Sequence, residues 1–124
     1  MQFAVVTSSD SLGTTLRAAR LERASQNPRH FSVRALAARL GASASWLSMV
    51  ERDVQRPTED MLRALAGELG LEPDVLLPQA GRVPADVIAL LLQRPALIEA
   101  VRALRAVSDA DVARTIRQIH DGTW

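Results

Sequence analysis

Apolar residues recur three and four positions apart along most of the chain, and Pro, Gly and Ser interrupt the pattern at short intervals. That rhythm predicts a series of short amphipathic helices. Leu12, Leu16 and Ala19 mark a first helix from Ser11 or Leu12 to about Ala24, and the turn residues of Ser25 to His30 predict a loop. Ser32 is a good N-cap, with Phe31 before it and Leu36 at the fourth helical position to close a hydrophobic staple, so a second helix spans about Val33 to Leu40. Gly41 stands where a helix ends in the left-handed conformation that a Cβ disfavours. Ser43 caps a third helix, Ala44 to about Asp53, which turns Leu47 and Val50 inward and Ser45, Ser48, Met49 and Arg52 outward, with Ala44 and Trp46 on its flanks. Thr58 caps a fourth, with Glu59 and Asp60 on its positive end; Met61, Leu62, Leu65 and Leu69 are its expected buried face, and Gly70 stops it. Pro73 opens a short fifth helix to Leu77, which Pro78 ends.

Residues 79–83, Gln79 to Val83, read as a hinge, after which three more helices follow: Pro84 to about Gln93, Pro95 to about Ala106, and one capped by Ser108 with Asp111 at its third position, reaching about His120. This tail is too short to bury a core of its own without metal, disulfide or partner. It is nevertheless strongly apolar: Val87, Ile88, Leu90, Leu91, Leu92, Leu97, Ile98, Val101, Leu104, Val112, Ile116 and Ile119 need cover from the first module or from another chain. Leu90 to Leu92 makes one helix apolar nearly all round, which favours another chain. Val87, Leu91, Leu97, Ile98, Val101, Leu104 and Ile116 are the candidate dimerisation residues. Strand signals are confined to Phe3 to Thr7, a short edge strand, an arm to a partner subunit, or a disordered start. The expected organisation is an all-α chain: an N-terminal arm (1–10), a five-helix unit (11–78), a hinge (79–83) and a C-terminal helical dimerisation module (84–124).

Composition narrows the classes. In 124 residues, 48% are hydrophobic and 23% charged, which suits one modest globular core rather than a disordered chain. No window approaches the roughly 20 apolar residues of a membrane helix, and the apolar start lacks the basic flank of a signal peptide. There is no cysteine, hence neither a disulfide framework nor a thiolate metal site. A soluble, cytoplasmic protein without cofactor or metal is the expectation. Net charge is only +1, but it is unevenly spread: up to Pro57 eight arginines face four acids, a balance of +4, and beyond it seven face ten, a balance of −3. The first half can meet a polyanion; the second cannot. Every basic side chain is Arg, which reads as a GC-rich coding bias and also suits bidentate phosphate contacts.

The second and third helices carry the informative motif. A helix-turn-helix needs a small residue where its helices cross, a glycine at the turn, and branched apolar residues holding the second helix on the first. Ala37, Gly41, Leu47 and Val50 meet these needs, with Leu36 and Leu40 on the core side. From Leu12 to Leu77 the chain resembles the Xre/Cro-type, phage-repressor-like helix-turn-helix regulators of bacteria and phages. The resemblance rests on Leu36-Ala37, Gly41, Ser43, Leu47-Ser48, Glu51-Arg52 and Pro57, matched in series. It implies a repressor-like five-helix domain, a pairing of Arg20 with Glu51 that is structural, and a third helix entering the major groove of double-stranded DNA. Ser43, Ala44, Ser45, Trp46, Ser48 and Met49 are then the candidate base-facing residues, and Arg34, Arg52 and Arg56 the candidate phosphate contacts. Trp46 has an equally good alternative in packing against its neighbours. Two features depart from the family: the longer loop from Ser25 to His30, where Asn27, Arg29 or His30 could reach phosphate, and Asp53 where glycine is usual, whose charge would repel a nearby phosphate.

Function follows as an expectation: a homodimeric DNA-binding transcriptional regulator, most simply a repressor on a palindromic operator. The family also includes antitoxins, whose C-terminal helices bind a toxin, and regulators cut by a metalloprotease, so a toxin or protease partner is a further implication. A helical protein-interaction module without DNA binding is the alternative from another class. Catalysis is not expected, because His30 and His120 are far apart in sequence and neither paired carboxylates nor a glycine-rich phosphate loop accompany them.

Overall fold

The computed structural model describes residues 10–122, so the apolar start Phe3 to Thr7 lies outside the described residues. Among them are eight helices and no strand. They fall into two compact units, divided along the chain between Pro84 and Ala85.

The first unit contains α1 (Leu12–Gln26), α2 (Val33–Arg39), α3 (Ala44–Glu51), α4 (Glu59–Leu69) and α5 (Pro73–Gln79). Short polar side chains start four of them: Ser11, Ser32, Ser43 and Thr58 each accept the N–H three residues on, at 3.0–3.2 Å, and so satisfy a donor the helix itself cannot. Leu16, Leu36, Leu47, Val50, Leu62, Leu65, Leu76 and Leu77 form the centre of one core, with Phe31 sealing its edge. Phe31 and Leu36 are both buried on either side of the Ser32 cap. The pairs α2 with α3, α1 with α3, α1 with α4, and α4 with α5 pack together.

Several boundaries differ from those read in the sequence, each for a local reason. The first helix continues two residues past Ala24, as Asn27 donates its N–H to the Arg23 carbonyl. The third stops at Glu51 rather than Asp53, because Arg52 caps it and Asp53 adopts φ 61°. Asp53 and Val54 then donate to the carbonyls of Val50 and Met49, closing the turn. Pro78 does not end the fifth helix but lies inside it. Of the five residues expected as a hinge, Gln79 ends that helix, Ala80 caps it and is buried, and Gly81 and Arg82 donate to the carbonyls of Pro78 and Leu77. Met61, expected in the core, is only partly buried.

The second unit contains α6 (Ala85–Gln93), α7 (Ala96–Leu104) and α8 (Asp109–Asp121). A tight turn at Arg94 and Pro95 folds α7 back onto α6, and Ser108 caps α8 by accepting the Asp111 N–H. None of residues 85–122 is buried; Leu92 keeps 75% of its surface exposed and Val101 57%.

Candidate nucleic-acid interface

The turn between α2 and α3 is fixed by its backbone. Gly41 has φ 70°, where a Cβ would be strained, and Gly41 and Ala42 donate to the carbonyls of Ala38 and Ala37. Ala37 is fully buried, as are Leu47 and Val50 of α3, so α3 is seated on α2 through one face and turns the other outward.

The far end of α3 is held by α1. Arg20 forks onto Glu51, Nε to Oε2 at 2.6 Å and Nη2 to Oε1 at 2.8 Å, and its remaining Nη1 donates to the Phe31 carbonyl at 3.2 Å. One guanidinium thus ties α1 to the last residue of α3 and to the entry of α2. Both side chains are withdrawn from water, at 9% and 6% exposure. The hydrogen bond to Glu51 raises the Arg20 pKa further above its usual value against the opposing effect of burial, so the group stays charged. This is the pairing the family resemblance implied for Arg20 and Glu51.

Asp53 has a role that its sequence position did not reveal. Its Oδ1 accepts the N–H of Gly13 at 2.9 Å, satisfying a free donor at the positive end of α1. That bond offsets the left-handed backbone of a non-glycine residue. Gly13 itself lies so close that an added Cβ would stand 2.5 Å from the Glu51 carbonyl oxygen and 2.8 Å from that of Val50. Gly13→Ala should therefore push α1 off the end of α3 and cost about 1–3 kcal/mol, measured by urea denaturation, the range for overpacking a tight contact. An alanine variant as stable as the parent would show that the two helices do not meet so closely.

The predicted base-facing residues share the start and outer side of α3. Ser45 is exposed; Ser43, also exposed, uses its oxygen to accept the Trp46 N–H but keeps its own proton to donate. Ala44, Ser48 and Met49 are partly buried. Trp46 packs against the core and also lines an open hollow of about 400 Å³, together with Ser43, Arg56, Pro57, Thr58 and Met61. Arg34, in the first turn of α2, Arg52 and Arg56 are exposed, and none has an acidic partner among the described residues; the Arg52 Nε turns back to the Ser48 carbonyl at 3.4 Å. The candidate dimerisation residues all belong to the second unit, where Leu91 and Leu97 are partly buried and Val87, Ile98, Val101, Leu104 and Ile116 are 38–57% exposed.

Arg39 was also not singled out in the sequence. Its guanidinium bonds Glu68 at 3.0 Å and the His30 carbonyl at 2.5 Å, and it lies 5.2 Å from the centre of the Phe31 ring. No short-range pattern announces such a role, because its partners come from α4 and from the loop before α2.

Two short capped helices joined by the left-handed Gly41, the second seated on the first through Leu47 and Val50, form a helix-turn-helix. Residues 11–79 match the family model described as "Helix-turn-helix domain", and the chain belongs to that family. No curated protein and no solved structure matches the chain. Among the described residues, no helix is long and apolar enough to cross a membrane, and no group of three or more His, Cys, Asp or Glu is placed to hold a metal ion.

Proposed function

We propose that the protein is a cytoplasmic transcriptional regulator of the Xre/Cro type, without catalytic activity, that acts as a repressor by binding a palindromic operator as a homodimer. The observation that carries this reading is the disposition of α3. Its Leu47 and Val50 face is fully buried, its last residue is clamped by Arg20, and its other side carries the exposed Ser45 and the half-buried Ser48 and Met49, while Arg34, Arg52 and Arg56 on the same unit are exposed. A helix held this rigidly and flanked by uncompensated cations fits the major groove, with the arginines on phosphates and the Ser45 and Met49 side chains at base edges. The helix offers few hydrogen-bonding groups, so methyl contacts, hydroxyls and DNA shape supply the selectivity, and a second half-site multiplies it.

Pairing of subunits is assigned to α6, α7 and α8. A unit with no buried residue and this many exposed aliphatic side chains needs a partner surface, and a second copy supplies one that matches a palindrome. The same exposed surface supports a second reading, an antitoxin-type regulator whose C-terminal helices hold a toxin. Sedimentation of the purified chain separates the two: a dimer without any other protein favours the first.

Phosphate and base contacts respond differently to mutation. Arg52→Ala should weaken binding to all duplexes alike and reduce the salt dependence by about one phosphate, whereas Ser45→Ala or Met49→Ala should change which sequence is preferred. Quantitative binding on a panel of duplexes checks both; unchanged nonspecific affinity in the Arg52 variant would refute this docking.

A further inference from the structure

The cations flanking α3 are not the whole of the unpaired charge on this unit. Arg17 and Arg29 are also exposed and also without an acidic partner among the described residues. Both belong to backbone that is tied to the end of α3 through Arg20.

For Arg17 the placement follows from helical spacing. Gly13, Arg17 and Arg20 stand at i, i+4 and i+7, one stripe of α1. Both ends of that stripe touch the end of α3: Gly13 lies against the carbonyls of Val50 and Glu51 and donates to Asp53, while Arg20 forks onto Glu51. Arg17, between them on the stripe, therefore belongs to the part of α1 that runs along the C-terminal end of α3. The two acids at that end of α3 are already engaged, Glu51 by Arg20 and one oxygen of Asp53 by Gly13.

For Arg29 the placement follows from a pinned loop. The Asn27 side chain accepts the His30 N–H and its carbonyl accepts that of Phe31. Arg39 and Arg20 hold the carbonyls of His30 and Phe31, and the guanidinium groups of Arg23 and Arg39 lie 5.8 and 5.2 Å from the centre of the Phe31 ring. The Arg20 guanidinium spans both Phe31 and Glu51, so the end of this loop and the end of α3 are neighbours. Arg29, exposed, precedes the two pinned residues His30 and Phe31 in this loop.

We propose that Arg17 and Arg29 form a second phosphate-binding edge, which grips the DNA backbone flanking the half-site met by α3. Like charges gathered without a counter-carboxylate raise the local potential, and the polyphosphate backbone is the ligand that relieves it. Guanidinium groups also bind phosphate oxygens in pairs. The inference rests on the DNA-binding reading, and its test separates the two.

The full-length chain is titrated with salt on a duplex extending beyond one operator. For the Arg17→Ala/Arg29→Ala variant, the slope of log affinity against log salt should become shallower by about 0.9 for each phosphate no longer gripped, with the ranking of sequences unchanged. Arg17→Lys/Arg29→Lys should keep most of the slope. Should the alanine variant melt below the parent, the double Gln variant carries the same expectation. Arg105→Ala/Arg117→Ala removes as much charge from the second unit and should leave the slope as it was. A parental slope in the Arg17/Arg29 variant, or equal flattening by the Arg105/Arg117 control, overturns the proposal. If Arg52→Ala flattens the slope while Arg17→Ala/Arg29→Ala does not, the edge is wrong and the DNA reading stands. Salt-insensitive binding by the parent overturns both.

Discussion

Glu51→Ala should destabilise the helix-turn-helix unit by about 3–5 kcal/mol, the loss seen when one partner of a buried ion pair is removed. The change strips Arg20 of two hydrogen bonds while leaving its guanidinium among buried neighbours, with only the Phe31 carbonyl to accept from it. Domains hold about 0.05–0.15 kcal/mol per residue, so a unit of this size has little left after such a loss. Urea denaturation followed by helix content should show a fall in midpoint far larger than that of Glu59→Ala. Arg63, one partner of Glu59, is solvent-exposed, and exposed pairs contribute about 0–1 kcal/mol. Equal, small effects in the two variants would mean that α1 does not brace α3. Because α3 is the proposed reading helix, DNA affinity should fall together with stability in the Glu51 variant, and only weakly in the Glu59 variant.

Removal of residues 85–124 should have the largest effect on function. The truncated chain is expected to sediment as a monomer and to lose about 10²–10⁴ of its operator affinity, the range over which linking two binding modules raises avidity. Nonspecific binding by the isolated unit should survive, since Arg34, Arg52 and Arg56 all lie before the cut. A truncated chain that remains dimeric in sedimentation would place the subunit contact elsewhere.

How far this architecture was legible in the sequence depends on the range of the interactions involved. Helix starts are written locally: the predicted caps Ser32, Ser43, Thr58 and Ser108 each bond the N–H three residues on, as the residue type and spacing imply. The Gly41 turn is equally local, a single backbone conformation with a single favoured residue. Helix ends were less legible, since they depend on what the following residues find to bond. Pro78 signals a stop, yet α5 continues past it, as the Ala80 N–H reaches the carbonyls of Leu76 and Leu77 and Ala80 enters the core. Asp53 ends α3 early for a reason 40 residues away in the chain, the N–H of Gly13. Met61 illustrates the same limit on a helix face: its spacing matches Leu65, but it falls at the rim of the hollow beside Trp46 instead of in the core. The Arg20 to Glu51 clamp came from family resemblance, because nothing in the local pattern joins residues on separate helices.

Salt titration of the intact protein on duplex DNA tests the central claim most directly. If α3 enters the groove with Arg34, Arg52 and Arg56 on phosphates, affinity must fall steeply as salt rises, by about 0.9 in log affinity per log salt for each phosphate bound. Binding that is absent at low salt, or indifferent to salt, would contradict the account.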